Sequence, residues 1–198
     1  DSGKITFTSA DTHFGSGTVT LRTDSTYDLT QANPQIYLNG GDITFNGGAS
    51  NPGNLTIDDG TFLINAGGGD ITFAGAITSS EAGANEVLDL VSSGSSTITV
   101  KAVGGSNQIA SIALEGATVS LGGNLTTQGA AGVVVTGAAS LAADSTITTT
   151  TNNGIVSFSS TIDGGQNFDI VSGGSGAVTI SGNIGNGTAL TTLDINRS

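Results

Sequence analysis

The residues best suited to chemistry are few and widely separated in this 198-residue chain. Asp58-Asp59 is the only adjacent acidic pair, and His13 is the only histidine. Two carboxylates cleave a glycosidic bond when they flank it in a cleft, one as acid and the other as base or nucleophile. Asp58 and Asp59 instead run directly into Gly60, in a stretch that reads as a turn, where Asp is favoured because its side chain bonds the local backbone. His13 has no cysteine or nucleophilic serine as a companion and reads as a solvated residue on a polar turn. The expectation is that no residue is catalytic and that the chain is not an enzyme.

Metal binding has a better-defined motif to weigh. Gly40-Gly41-Asp42 and Gly67-Gly68-Gly69-Asp70 are similar to the Gly-Gly-x-Gly-x-Asp calcium repeat, in which stacked nonapeptides align their Asp ligands. The nine-residue register is missing here, so Asp42 and Asp70 are expected at the same corner of successive repeats, as turn residues. No metal site or cofactor is assigned; if calcium does bind, the candidate ligands are Asp42, Asp58, Asp59 and Asp70.

Composition narrows the field further. The formal charge of −12 comes from 16 acidic against four basic residues. Lys4, Arg22, Lys101 and Arg197 are scattered, so no basic patch exists to neutralise phosphates, and nucleic acid is excluded as a partner. With no cysteine there is neither a disulfide framework nor a cysteinyl metal site. No apolar run reaches the length of a membrane span and no signal peptide opens the chain, so membrane insertion is not expected. Asp1 in place of an initiator Met reads as the cut edge of a longer protein. The pattern keeps one character from 1 to 198, which argues for a single domain.

That pattern is a short phrase that keeps returning: a small residue, a spacer, then apolar-Thr/Ser-apolar. It occurs as Gly3-Lys-Ile-Thr-Phe, Gly17-Thr-Val-Thr-Leu, Gly41-Asp-Ile-Thr-Phe, Gly69-Asp-Ile-Thr-Phe, Ser96-Thr-Ile-Thr-Val, Ala117-Thr-Val-Ser-Leu and Gly176-Ala-Val-Thr-Ile. Side chains alternate faces along a strand, so the apolar pair points one way and the central hydroxyl the other. A unit this short cannot close its own core, and its apolar face must be covered by the next copy, as in a solenoid. Phe7, Phe45 and Phe73 take the inward position and belong to the core. Thr44, Thr72 and Thr99 take the outward one, and with the run Thr148 to Thr151 they suggest a face ranked with hydroxyls. Such ranks bind ice in some solenoids, but irregular repeat lengths argue against a flat matching plane here. Tyr27 and Tyr37 fall in the least regular segment, 22 to 40, the place to look for a bound sugar. No helix is expected.

A larger unit aligns on Gly69 to Leu90, on Ala117 to Leu125 and on Gly176 to Ile195. In it two strands meet at a tight corner, with Gly75, Gly123 and Gly182 supplying either a positive φ or a close backbone approach. A third strand follows a variable loop. The expected fold is therefore all-β, a parallel β-helix with about three short strands per coil. Seven to nine coils at the inter-strand spacing make a rod on the order of 40 Å long. The longest loops are expected at 46–54, 78–86 and 104–108.

The stretches Gly69-Asp-Ile-Thr-Phe-Ala-Gly-Ala-Ile, Leu141-Ala-Ala-Asp-Ser-Thr-Ile-Thr-Thr and Val178-Thr-Ile-Ser-Gly-Asn-Ile-Gly resemble the degenerate repeats of giant bacterial surface proteins of the filamentous-haemagglutinin-like adhesin type. The resemblance covers most of the chain and is one of pattern and composition. It implies an extracellular or cell-surface parallel β-helix with an adhesive or spacer role. The partners it implies are flanking repeats or identical subunits stacked end to end, together with glycans on host or neighbouring cells. No counterpart of the family's secretion-signalling amino-terminal domain is visible, as expected of a fragment from the middle of a giant chain. A calcium- or glycan-binding module is the alternative reading, followed by a polysaccharide-cleaving enzyme or an ice-binding protein.

Overall fold

A computed structural model describes residues 5–7, 11–23, 27–29, 33–47, 52–58, 60–80, 85–105, 107–149 and 152–197. Among these there is no helix, and every strand pairing is parallel. The chain winds as a β-solenoid of about seven turns, and each turn contributes to three sheets.

The first sheet stacks β1 (Ile5–Phe7), β4 (Tyr27–Leu29), β7 (Leu55–Ile57) and β10 (Ile77–Ser79). Isolated bridges carry it from Ile77 to Val103 to Leu125, the start of β14 (Leu125–Leu141). It continues through β15 (Ser145–Thr149), β18 (Asn167–Ser172) and β20 (Thr192–Arg197). The second sheet runs through β2 (Asp11–Phe14), β5 (Gln35–Leu38), β8 (Thr61–Asn65), β11 (Val87–Val91) and the first half of β13 (Ile109–Leu121). From there it passes to the middle of β14, then β16 (Val156–Phe158) and β19 (Val178–Ile180). The third sheet holds β3 (Val19–Thr23), β6 (Ile43–Gly47), β9 (Ile71–Phe73), β12 (Thr97–Val100), the second half of β13, the end of β14 and β17 (Ile162–Asp163).

Register turns the repeated phrase into columns. Ile43, Ile71, Ile98, Val119, Ala139 and Ile162 pair in succession inside the third sheet, all at most 2 % exposed. Phe45 stacks on Phe73 with ring centroids 4.6 Å apart, and Phe158 meets Phe168 edge-on at 5.7 Å. Each inward Ile, Leu or Phe so covered contributes roughly 1.5–3 kcal/mol of transfer free energy, which is why so short a strand persists. The side chain of Phe7 lies outside the described residues.

Three sequence expectations change here. β13 and β14 are not separate triplets: each turns a corner without leaving extended pairing, with register shifts between Ile109 and Ser111 and between Glu115 and Thr118. β2, with the polar sequence Asp-Thr-His-Phe, is a strand that the triplet pattern does not reveal, held by four paired positions on β5. The loops are also shorter than expected, since Asn46 and Gly47 belong to β6, and Thr78 and Ser79 belong to β10.

The glycine corners are close approaches rather than positive-φ turns. A Cβ on Gly75 would collide with the backbone carbonyl of Gly53 in the preceding coil, and one on Gly182 with that of Ser160. Neither residue has a positive φ.

Candidate functional site

The acidic residues that the sequence offers as ligands are built into the scaffold. Asp42 Oδ1 accepts the backbone N–H of Asp70 at 2.8 Å, and Asp70 Oδ1 in turn accepts that of Thr97 at 2.7 Å. The two do occupy the same corner of successive coils. The same device recurs elsewhere: Asn33 to Thr61, Asn54 to Ala76, Asn124 to Thr146, Asp144 to Asn167, Asn153 to Ser175, and Asp163 to Gly187. In each case a side-chain oxygen accepts an amide 22 to 28 residues later. A corner breaks the sheet ladder and leaves a backbone N–H without a strand partner, and the Asx oxygen satisfies it.

Asp58 Oδ1 accepts the Ser80 hydroxyl at 2.6 Å, again one coil on. Asp59 lies outside the described residues. Among the described residues no group of three His, Cys, Asp or Glu side chains gathers, and no ligand-sized cavity opens.

His13 is not on a turn. It sits on β2 opposite Tyr37 of β5, and the rings stack 5.0 Å apart with planes 12° from parallel. The Tyr37 hydroxyl donates to Gln35 Oε1. Tyr27 lies on β4, and its side chain is outside the described residues.

The expected hydroxyl row exists on the third sheet, where Thr20, Thr44, Thr72, Thr99, Ser120 and Ser140 pair in order and the row ends at Asp163. Two positions along these strands the partners are Arg22 and Asn46, so no second hydroxyl rank accompanies it. In the run Thr148 to Thr151, Thr148 is half-buried and pairs with Thr126 on the first sheet, whereas Thr149 is fully buried and donates to the Gly154 carbonyl at 2.8 Å. Thr150 and Thr151 lie outside the described residues.

Thr149 belongs to a polar seam inside the solenoid. At the inward position that ends strands of the first sheet, Ile57 is followed in later coils by Ser79, Thr127, Thr149 and Ser172, each at most 1 % exposed. The sequence signal is an inward Ile or Leu followed two residues later by Ser or Thr, as in Ile77-Thr-Ser79 and Ile147-Thr-Thr149. Beside Ser79 lies Glu86, a carboxylate buried to 1 % exposure. The sequence sets Glu86 at the end of the variable loop 78–86, yet it stands two residues before inward Leu88 and shares that inward face.

On the outside, Asp89 of β11 sits in a row between Leu63 and Ala113. Partial burial lifts its carboxyl above the ordinary carboxylate range, and the negative charge of Glu115 adds to the effect. Asp144 shifts the opposite way, held low by hydrogen bonds from the Asn167 backbone and side chain.

No known protein family, curated protein or solved structure matches this chain.

Proposed function

We propose that this protein is a structural rod, a β-solenoid spacer or adhesin stalk of a bacterial surface or secreted protein, without enzymatic activity. The observation that carries this reading is the parallel pairing that passes from coil to coil along all three sheets, through single bridges at Val103 and through the register shifts between β13 and β14. Side chains that could have done chemistry are spent on holding that ladder: Asp42, Asp58 and Asp70 bond the following coil, and His13 stacks on Tyr37. An acidic surface resists sideways clumping of such rods while leaving their ends free to engage.

The coil that ends the described residues leaves apolar side chains uncovered. Ile184, Leu193 and Ile195 are 39–42 % exposed, whereas their column partners Ile162, Phe168 and Ile170 are fully buried. A further parallel coil, of a longer polypeptide or of a second copy, would cover them as every coil covers the one before it. Negative-stain microscopy and sedimentation at several concentrations test the reading, alongside incubation with pectins, alginate and glucans. Straight rods that associate end to end, with association lost in a Leu193→Lys, Ile195→Lys double variant, are expected. Release of new sugar ends that disappears in Asp58→Asn, Asp59→Asn would overturn the non-enzymatic reading.

A further inference from the structure

The outward positions of the three sheets are not alike. On the third they form the hydroxyl row, and on the first Thr56 pairs with Thr78 and Thr126 with Thr148. The second sheet instead turns out Leu63 of β8, Val87 and Val91 of β11, Ala113 of β13 and Val134 of β14, each half-buried beside an inward core residue. Ile155, which precedes inward Val156, extends the patch and is 37 % exposed. From Leu63 to Ile155 the chain climbs four coils, roughly 19 Å at the inter-strand spacing of about 4.8 Å. Strand propensity explains Val on any face, but not Leu63 where the other sheets place Thr.

Asp89 stands in the middle of this patch. Leu63 and Ala113 are its neighbours on the adjoining coils, and Val87 and Val91 flank it two residues away on its own strand. Among the described residues no hydrogen bond or ion pair reaches its carboxylate, and the charge that acts on it is another carboxylate, Glu115, which pairs with Val91. Arg22 lies on β3, Lys101 follows β12 and Arg197 lies on β20, so among the described residues no basic side chain belongs to the second sheet. A carboxylate ringed by apolar side chains attracts a cation more strongly when the cation arrives with apolar cover, because water leaves as the contact closes.

We propose that the outer face of the second sheet docks a short basic and apolar segment of a partner protein. Its Lys or Arg side chains meet Asp89 and Glu115, and its apolar side chains cover Leu63, Val91, Val134 and their neighbours. Charge decides against a second copy of this chain, because a copy laid face to face brings carboxylates of its own and no basic residue. The aliphatic character decides against a sugar, since the aromatic rings on this sheet, His13 and Tyr37, are stacked on each other. The proposal goes beyond the rod reading and does not depend on it.

The test titrates the full chain with a short synthetic peptide of alternating leucine and lysine, and with a serine-lysine peptide of equal charge as control. Calorimetry gives the affinities, and amide chemical shifts of the isotope-labelled chain locate the contact. Saturable binding of one leucine-lysine peptide per chain is expected, with shifts gathered on β8, β11 and β13 and the control at least about tenfold weaker. The double variant Asp89→Asn, Glu115→Gln and the double variant Leu63→Thr, Val91→Thr should each weaken binding about tenfold or more. Both replace outward side chains, and if one fails to fold the other carries the test. Asp169→Asn, Asp194→Asn removes two charges from the first sheet and should leave binding unchanged. Equal affinity for the two peptides, shifts on another sheet, or equal weakening by the Asp169, Asp194 pair would show attraction to overall charge alone and overturn the proposal. So would a native chain that does not bind the leucine-lysine peptide.

Discussion

The side chain of Asp42 accepts the backbone N–H of Asp70, its counterpart one coil later, at 2.8 Å, and Asp70 repeats the contact with Thr97. The acidic residues most similar to calcium ligands in sequence thus act as staples between coils. An acceptor oxygen is all this role needs. Asp70→Asn should therefore leave stability nearly unchanged, whereas Asp70→Ala should lose about 1 kcal/mol, the usual worth of such a bond. Urea unfolding measures both, and faster hydrogen exchange at the Thr97 amide in the alanine variant locates the loss.

Strand register gives a harsher contrast between neighbours. Ile71 is fully buried, and Thr72 next to it lies in the outward hydroxyl row. Ile71→Asp buries an unpaired charge and should cost roughly 4 kcal/mol or more, while Thr72→Asp should cost under about 1 kcal/mol. Equal losses in thermal unfolding would mean that the two faces are exchanged.

The phrase apolar-Thr-apolar made the faces legible because period-two alternation is a local property of the chain. Ile43, Phe45, Ile71 and Phe73 could be assigned inward without knowing which coil covers which. What local pattern could not supply was anything decided between coils. β2 owes its strand to β5, and its own sequence is polar. Thr149 looks like a surface hydroxyl until its place two residues after inward Ile147 is followed through the corner. Glu86 is a charged residue beside a variable loop, and the alternation of Leu88 and Leu90 carried two residues back sets it inward, against its own preference for water. The Asx staples were legible as turn residues, but their partners lie a full coil away.

Glycine corners should be intolerant in proportion to the backbone they meet. A methyl group on Gly75 has nowhere to go, because the carbonyl of Gly53 cannot swing aside like a side chain. Gly105 faces open space. Gly75→Ala should cost on the order of 2–3 kcal/mol, within the range of overpacked sites, and Gly105→Ala should be close to neutral. Denaturant midpoints of the two variants, compared with the native chain, decide the point.

The two shifted carboxylates predict opposite responses to pH. Asp89 ionises less readily in the folded chain than in the unfolded one, because partial burial and the charge of Glu115 both disfavour the anion. Between the unfolded value of 3.8 and its raised folded value, the folded chain holds the extra proton, so stability falls as pH rises through that window and stays lower above it. Asp89→Asn removes the penalty. It should stabilise the protein at neutral pH by about 0.5 kcal/mol, a figure kept small because water screens the half-exposed group. The gain should vanish once the pH drops below the unfolded value. Glu115→Gln should reproduce part of it, since it removes the second cause and leaves the first. Asp144 runs the other way: bonds from Asn167 favour its anion, so its contribution is present above the unfolded value and is lost as pH falls through the lower folded one. Asp144→Ala should therefore weaken the fold more at neutral pH than in strong acid, where the protonated carboxyl still accepts the Asn167 amide but the charge-dependent part of the bond is gone. Urea midpoints collected across the acid range for Asp89→Asn, Glu115→Gln and Asp144→Ala would separate these effects. A stabilisation by Asp89→Asn that persists undiminished in strong acid would show that packing against Leu63 and Ala113, not charge, is what the substitution relieves.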